Sequence, residues 1–471
     1  MNQYATKFDD SLNAILVKEL RQTVRGKFLW TTFNLFLLIM VIALTLALSE
    51  GRRASGNDTI TFLFIILYFA CFFLVPLYVG KKVNTEKKDG MNELLSITTM
   101  SPKSIVMGKF LCGLIIITML YCAFTPFMSL TVFMGGIDMH ELIITTILSY
   151  TFCMLAVLFQ IGLGLEALGI ASLGVLVKII GIVIQITMFS SSLSVCMECL
   201  RGKGVDNYAY LCAWLIGELI VGGIMFATSV SFLQPDTANK SYSLRKYLSI
   251  LWAIGICLAF GIPAELEGIN VGLIFLLVFV SGSYIREPEY YSARIIKDIP
   301  SNLFQRFIKF PLYTGLANGF AWVAITTIVS SLVVGFVNSY CNPGFSSRDR
   351  YGTVLFVIIA TLNAFVLMGN YIRKTFFSNY SRGASALIGI ILYLVVGCLP
   401  FLILGIMRIH FDGARAIAIW INPIVGLFEN EQVMAVVSSS LLLMLGLTLN
   451  GSTLLRQTKH YFELTAYDEE N

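Results

Sequence analysis

Twelve long apolar runs dominate this chain and decide what it can fold into. They fall at 28–48, 60–79, 105–134, 141–162, 174–195, 208–233, 247–260, 268–283, 315–337, 354–371, 386–407 and 432–450. About twenty apolar residues in a helix cross the hydrocarbon core of a bilayer. Inside lipid, each backbone N–H and C=O must find its partner within the protein, so helices are the default for such runs. The expected fold is an all-α integral membrane protein with about twelve transmembrane helices. The 247–260 run is short, and 417–428 reads as a re-entrant or interfacial piece, so the count is open by one or two. Composition agrees. Only 13% of the residues are charged, against about 25% in a soluble domain, too few to cover a water-facing surface.

Charge placement orients the chain. With the N-terminus in the cytoplasm, about 25 of the 33 Lys and Arg residues fall in inner segments or at inner helix ends. They cluster before residue 28, between 80 and 104, at 240–246, at 286–309, at 373–382 and after 455. The outer loops keep Arg52, Arg53, Arg201, Lys203, Arg348, Arg350, Arg408 and Arg415. An even number of spans then puts both termini in the cytoplasm. The net charge of +5 is modest and calls for no nucleic-acid partner. The polar stretch before residue 28 is too long for an ordinary signal n-region, so no cleavable signal peptide is expected.

The ten cysteines give no disulfide framework, because most sit inside apolar runs as small hydrophobes. Cys196 and Cys199, expected in an outer loop, read as a labile disulfide, as metal ligands, or as two ordinary cysteines, the last being favoured because no second ligand cluster accompanies them. His140, His410 and His460 are far apart in sequence, and no metal site is expected. Asn57-Asp58-Thr59 matches a glycosylation sequon and reads as a chance match.

Two segments outside the runs carry pattern. The first precedes the first span. Leu12, Ile15, Leu16, Leu20 and Val24 recur at helical spacing, while Lys18, Glu19, Arg21, Gln22 and Arg25 fill the other face. That is an amphipathic helix, read as an N-terminal interfacial helix on the inner leaflet or as a plain juxtamembrane anchor. The second is the loop 80–104, long and basic, with a short amphipathic stretch at Glu93, Leu94 and Leu95. Ser101 and Pro102 suit the N-cap and first turn of the next span. A short helix held between two spans transmits force from a cytoplasmic partner. The alternative is a positive-inside loop and nothing more.

These features resemble, in order, the type-2 ABC transporter permease family. The opening NAILVKELRQTVRGKF is similar to that family's first helix. The stretch EKKDGMNELLSITTMSPKSIVMGKFL is similar to its most recognisable segment, through Glu86, Gly90, Glu93, Leu94, Leu95, Ser101, Pro102, Gly108 and Lys109. A third span ending at Pro126, followed by Gly135-Gly136, is also family-like. The resemblance covers roughly residues 11–235, the usual six-span unit. It implies an export-type permease subunit in a bacterial plasma membrane, paired with a second copy or a paralogue and seated on cytoplasmic ATP-binding subunits. The loop with Glu86, Gly90, Glu93, Leu94, Leu95, Ser101 and Pro102 would be the coupling helix region. ATP and Mg would belong to the partner. The chain's own Gly-Lys pairs, at Gly26, Gly80, Gly108 and Gly202, are followed by Phe, Lys, Phe and Gly, whereas a phosphate-cradling loop needs Ser or Thr there. Residues 236–471 depart from the family pattern and are expected to form an additional membrane domain of about six spans.

Two polar residues sit deep in apolar runs, Gln185 in the fifth and Glu218 in the sixth. A carboxylate at such a depth is a functional candidate by default. Glu218 is read as protonated, bonded to Gln185, or facing a polar pathway. A structural interhelical hydrogen bond is the competing reading. At this level an ion-gradient-coupled secondary transporter is the alternative function, since twelve spans suit that class too.

Overall fold

The computed structural model describes residues 13–49, 56–89, 100–133, 138–165, 171–202, 208–235, 237–262, 266–288, 290–341, 351–379, 382–398, 421–428 and 431–463. All regular elements among them are helices, and eleven helices are long and apolar enough to cross a membrane. This is a multi-pass, all-α membrane protein. Of the twelve expected spans, 386–407 is described only in part, as an apolar helix over Ala384–Cys398. The chain divides into two compact units, one of residues 1–167 and 174–234, the other of 168–173 and 235–471.

The first unit opens with a short helix, α1 (Ala14–Arg25), followed by α2 (Lys27–Ser49). Next come α3 (Gly56–Phe69) and α4 (Val75–Lys88), joined without a break by a π turn at Ala70–Leu74. Then follow α5 (Pro102–Phe133), α6 (Met139–Leu165), α7 (Ala171–Leu200) and α8 (Tyr208–Leu233). The core is aromatic and aliphatic, centred on Leu63, Phe64, Tyr68, Ile117, Phe124 and Val157. The outside is also apolar: Leu38, Val41 and Leu46 on α2 and Ile182, Val183 and Ile186 on α7 are exposed. Such an exterior is tolerable where lipid, not water, surrounds it. Two expectations are corrected here. The third span does not end at Pro126, because α5 continues to Phe133. Lipid-embedded helices tolerate an internal proline, since neighbouring groups re-satisfy the freed carbonyl. Cys196 and Cys199 lie in the last turns of α7, buried and unpaired, not in a loop.

Between hydrocarbon tails there is no hydrophobic drive to join helices, so close backbone approach supplies the contact. Helices α4 and α6 meet in this way at two glycines. A Cβ on Gly164 would sit 2.7 Å from the Gly80 carbonyl, and one on Gly80 would sit 2.9 Å from the Gln160 carbonyl.

The second unit holds α9 (Lys240–Gly261), α10 (Leu266–Ser283), the short α11 (Ala293–Asp298) and α12 (Leu303–Lys309), then α13 (Leu316–Cys341) and α14 (Tyr351–Phe376). The described part ends with α15 (Gly383–Leu392), α16 (Pro423–Phe428) and α17 (Gln432–Glu463). The run at 247–260 looked short because Lys240, Arg245 and Lys246 precede it. In the structure these residues are helical, and α9 reaches 22 residues. Helix α14 is the polar spine. Its Asn363 donates to Ser281 Oγ at 3.0 Å and accepts from Tyr284 Oη at 2.9 Å, Asn370 donates to Asn450 Oδ1 at 3.0 Å, and Arg373 Nε donates to Ser385 Oγ at 2.7 Å. These bonds satisfy polar groups that lipid would leave unpaired.

The glycine contact makes a testable point. Gly164→Ala should lower the unfolding stability in detergent by about 1–3 kcal/mol, the usual cost of forcing atoms into a packed contact. Gly217→Ala is the control. Its Cβ meets nothing within 4 Å, so its melting midpoint should not fall.

Candidate functional site

The site grows from α1. Asn13 caps the helix, accepting from the Ile15 N–H at 3.0 Å, and its amide donates to Ser104 O at 2.6 Å. One side chain thus starts α1 and ties it to the first turn of α5. Pro102 opens α5, and Ser101 Oγ accepts from the Ser104 N–H at 3.3 Å. Ile15 and Leu16 are buried against α5 at Gly108, where an added Cβ would come within 3.0 Å of Ile15. The absence of a side chain at Gly108 is what lets α1 lie flat on α5.

One helical turn on from Leu16 stands Glu19, only 2% exposed. The sequence pattern puts Glu19 on the solvated face and Val24 on the apolar one. The structure reverses both, with Glu19 buried and Val24 49% exposed. The reason is electrostatic. Glu19 Oε1 meets Lys109 Nζ at 2.9 Å, and Glu19 Oε2 meets Lys82 Nζ at 2.5 Å. Lys109 Nζ also binds Glu86, whose other oxygen faces Lys18 Nζ at 3.4 Å. Two carboxylates and three ammonium groups thus join α1, the last turns of α4 and the start of α5. A single buried charge is prohibitive, whereas a hydrogen-bonded cluster is tolerated. Burial pushes the Glu19 carboxyl upward, but Lys109 and then Lys82 outweigh it, and the group is held below its ordinary range.

Of the loop residues singled out in the sequence, Glu86, Ser101 and Pro102 are placed, and Gly90, Glu93, Leu94 and Leu95 lie outside the described residues. On the two sides of 90–99, Glu86 is bound to Lys109 and Ser104 to Asn13. Sequence reasoning missed Glu19 and Lys82 and took Lys109 only as a motif letter. A signal was present. Lys109 lies within the run 105–134, where a buried cation calls for a partner, and Glu19 and Glu86 are among the carboxylates of the flanking basic segments, with Asp9, Asp10, Asp89 and Glu93.

The intramembrane candidates do not meet as one of their readings had them. Gln185 on α7 donates to the Phe72 carbonyl at 2.8 Å and accepts from Gln160 on α6. Phe72 belongs to the π turn, where the altered hydrogen-bond ladder leaves carbonyls available. Gln185 therefore fastens α7 and α6 to a local irregularity between α3 and α4. Glu218 is not bonded to Gln185. Both its carboxylate oxygens are buried without a hydrogen-bond partner among the described residues. Thr151 approaches the group, but its hydroxyl is spent on Leu148 O at 2.7 Å.

The second unit carries a comparable lock. Arg245, 1% exposed, pairs with Glu287 at 2.5 Å and donates to the carbonyls of Pro311 (3.2 Å) and Tyr313. Glu287 also accepts from Ser241 Oγ and the Gly315 N–H, both at 2.6 Å. The start of α9, the end of α10 and the start of α13 thereby share one end of their unit. Among the described residues no group of three His, Cys, Asp or Glu side chains is arranged to hold a metal.

Comparison with known proteins returns no match: no family model, no curated protein and no solved structure is similar to the chain.

The ion cluster predicts a pH dependence. With its native pKa lowered, Glu19 stabilises the fold above the ordinary carboxylate range, and that contribution is lost as pH falls through the lowered value. The wild-type melting midpoint in detergent should therefore drop on acidification. Glu19→Gln should be less stable at neutral pH by about 3 kcal/mol, the scale for breaking a buried pair, and should decline less with acid. Equal profiles for the two proteins would be the contrary result.

Proposed function

We propose that this chain is the membrane-spanning permease subunit of an ATP-driven ABC exporter, similar to the type-2 permeases. ATP and Mg would be used on a separate cytoplasmic ATP-binding subunit. A second permease copy or paralogue would complete the complex in the plasma membrane. The observation that supports this reading most is the Glu19–Lys109–Glu86 cluster. A loop that receives force must be joined stiffly to the spans it moves. Here the segments flanking 90–99 are bound to each other and to α1 by buried ion pairs and a capping side chain. When the partner dimer closes on the loop, α1, the end of α4 and the start of α5 move as one body. Through the close contact at Gly80 and Gly164, that motion reaches α6.

One observation favours a second reading, an ion-gradient-coupled secondary transporter. Glu218 keeps a buried carboxylate without a hydrogen bond among the described residues. A group of that kind suits reversible protonation along a pathway.

Purifying the full chain in mild detergent and identifying what accompanies it separates the two. The proposal expects a P-loop ATPase to co-purify, with its turnover altered by the chain and the alteration lost in Glu93→Lys. A solitary chain that moves solute down an ion gradient without ATP, and stops in Glu218→Gln, would overturn it in favour of the second reading.

A further inference from the structure

Helix α12 is built with its polarity reversed. Its one arginine, Arg306, is 3% exposed, while Leu303, Phe304, Phe307 and Ile308 are 65, 72, 73 and 56% exposed. In a water-facing helix the opposite holds, with the apolar side turned to the protein and the charge to solvent. The reversal is enforced. Arg306 Nε donates to Pro300 O at 2.5 Å and Nη1 donates to Phe462 O at 3.3 Å. Just beyond α12, Phe310 packs its ring on Tyr461 and Phe462 at the end of α17. Tyr313 donates to Asp298 O at 2.5 Å, closing the segment on itself. The four apolar side chains therefore point outward on a fixed support.

The position of this face identifies its occupant. Residues 284–315 connect α10 to α13, both of them candidate spans, so the segment lies where those two helices meet the membrane surface. Arg294 and Lys297 are exposed and Lys309 is half-buried on the same segment, the arrangement of an in-plane amphipathic element over anionic headgroups. A seven-residue helix is about 10 Å long, which is small for a protein interface of about 800 Å² per partner. A lipid leaflet needs no complementary surface. The apolar exterior also continues onto the adjoining spans, through Phe275 and Val278 on α10 and Ile325 and Ile328 on α13.

We propose that α12 is an in-plane membrane anchor, with Leu303, Phe304, Phe307 and Ile308 seated in the headgroup–acyl boundary of the leaflet on the basic-loop side. Lys297 and Lys309 stand at its rim, facing phospholipid headgroups. The anchor fixes the height of the 284–315 segment, and with it the Arg245–Glu287 lock, relative to the bilayer. It does not depend on the transport reading above.

The test reconstitutes the full chain in vesicles of phosphatidylcholine and phosphatidylglycerol. Phe307→Trp and, separately, Phe304→Trp carry a reporter on the outward face, and Gln305→Trp carries one on the flank. The emission of the five native tryptophans is subtracted. The introduced indole at 304 or 307 should emit at shorter wavelength than at 305. It should lose intensity to lipids brominated high on the acyl chain and resist acrylamide. Phe304→Trp and Phe307→Trp are independent reporters, so one poorly folded variant leaves the other to decide. Acrylamide quenching equal to that at 305, with no effect of brominated lipid, overturns the proposal. Protection that appears only when an added soluble protein binds also overturns it, and assigns the face to that protein.

Discussion

Lys109 is buried between two carboxylates, and one end of the first unit is arranged around that fact. An ammonium group on a membrane helix has two ways to exist: it reaches out to the headgroups, or it is neutralised inside the protein. Here α1 brings Glu19 and the end of α4 brings Glu86. Gly108, beside the lysine, supplies the close approach that lets α1 lie near enough to do so. The opening helix therefore spends its apolar face on protein, and its burial follows from one cation in the neighbouring span.

The same physics recurs in the second unit with different parts. Arg245 takes the place of the lysine, and its guanidinium binds one carboxylate and two carbonyls at once, which a point charge cannot do. Each unit thus gathers paired charge at one end, while its long helices meet through glycines, amides and hydroxyls.

Much of the helical layout was legible in the sequence, because lipid imposes one rule on every run: length and apolarity suffice to mark a span. The rule failed where charge is neutralised by a distant residue. Lys240 and Arg245 hid the beginning of α9, since nothing local says that Glu287 will come to meet the arginine. Periodicity places Glu19 toward solvent for the same reason, because it records which residues share a face and not what that face touches. Pro126 looks like a stop in the sequence, although the membrane helix passes through it. Ser101 and Pro102 were legible, since capping is local. The bond from Gln185 to the Phe72 carbonyl was not, because it uses a π turn whose position no periodicity reports.

Glu19 and Lys109 act as one unit holding α1 to the membrane helices. A double-mutant cycle on the full chain in detergent measures this directly, comparing Glu19→Gln, Lys109→Met and the double variant by unfolding free energy. Residues that share a buried ion cluster should show an interaction energy within the range of about 0.5–3 kcal/mol, toward its upper end, with the double variant less damaged than the sum of the singles. Additivity to within about 0.3 kcal/mol would mean that the two side chains stand near each other without holding anything together.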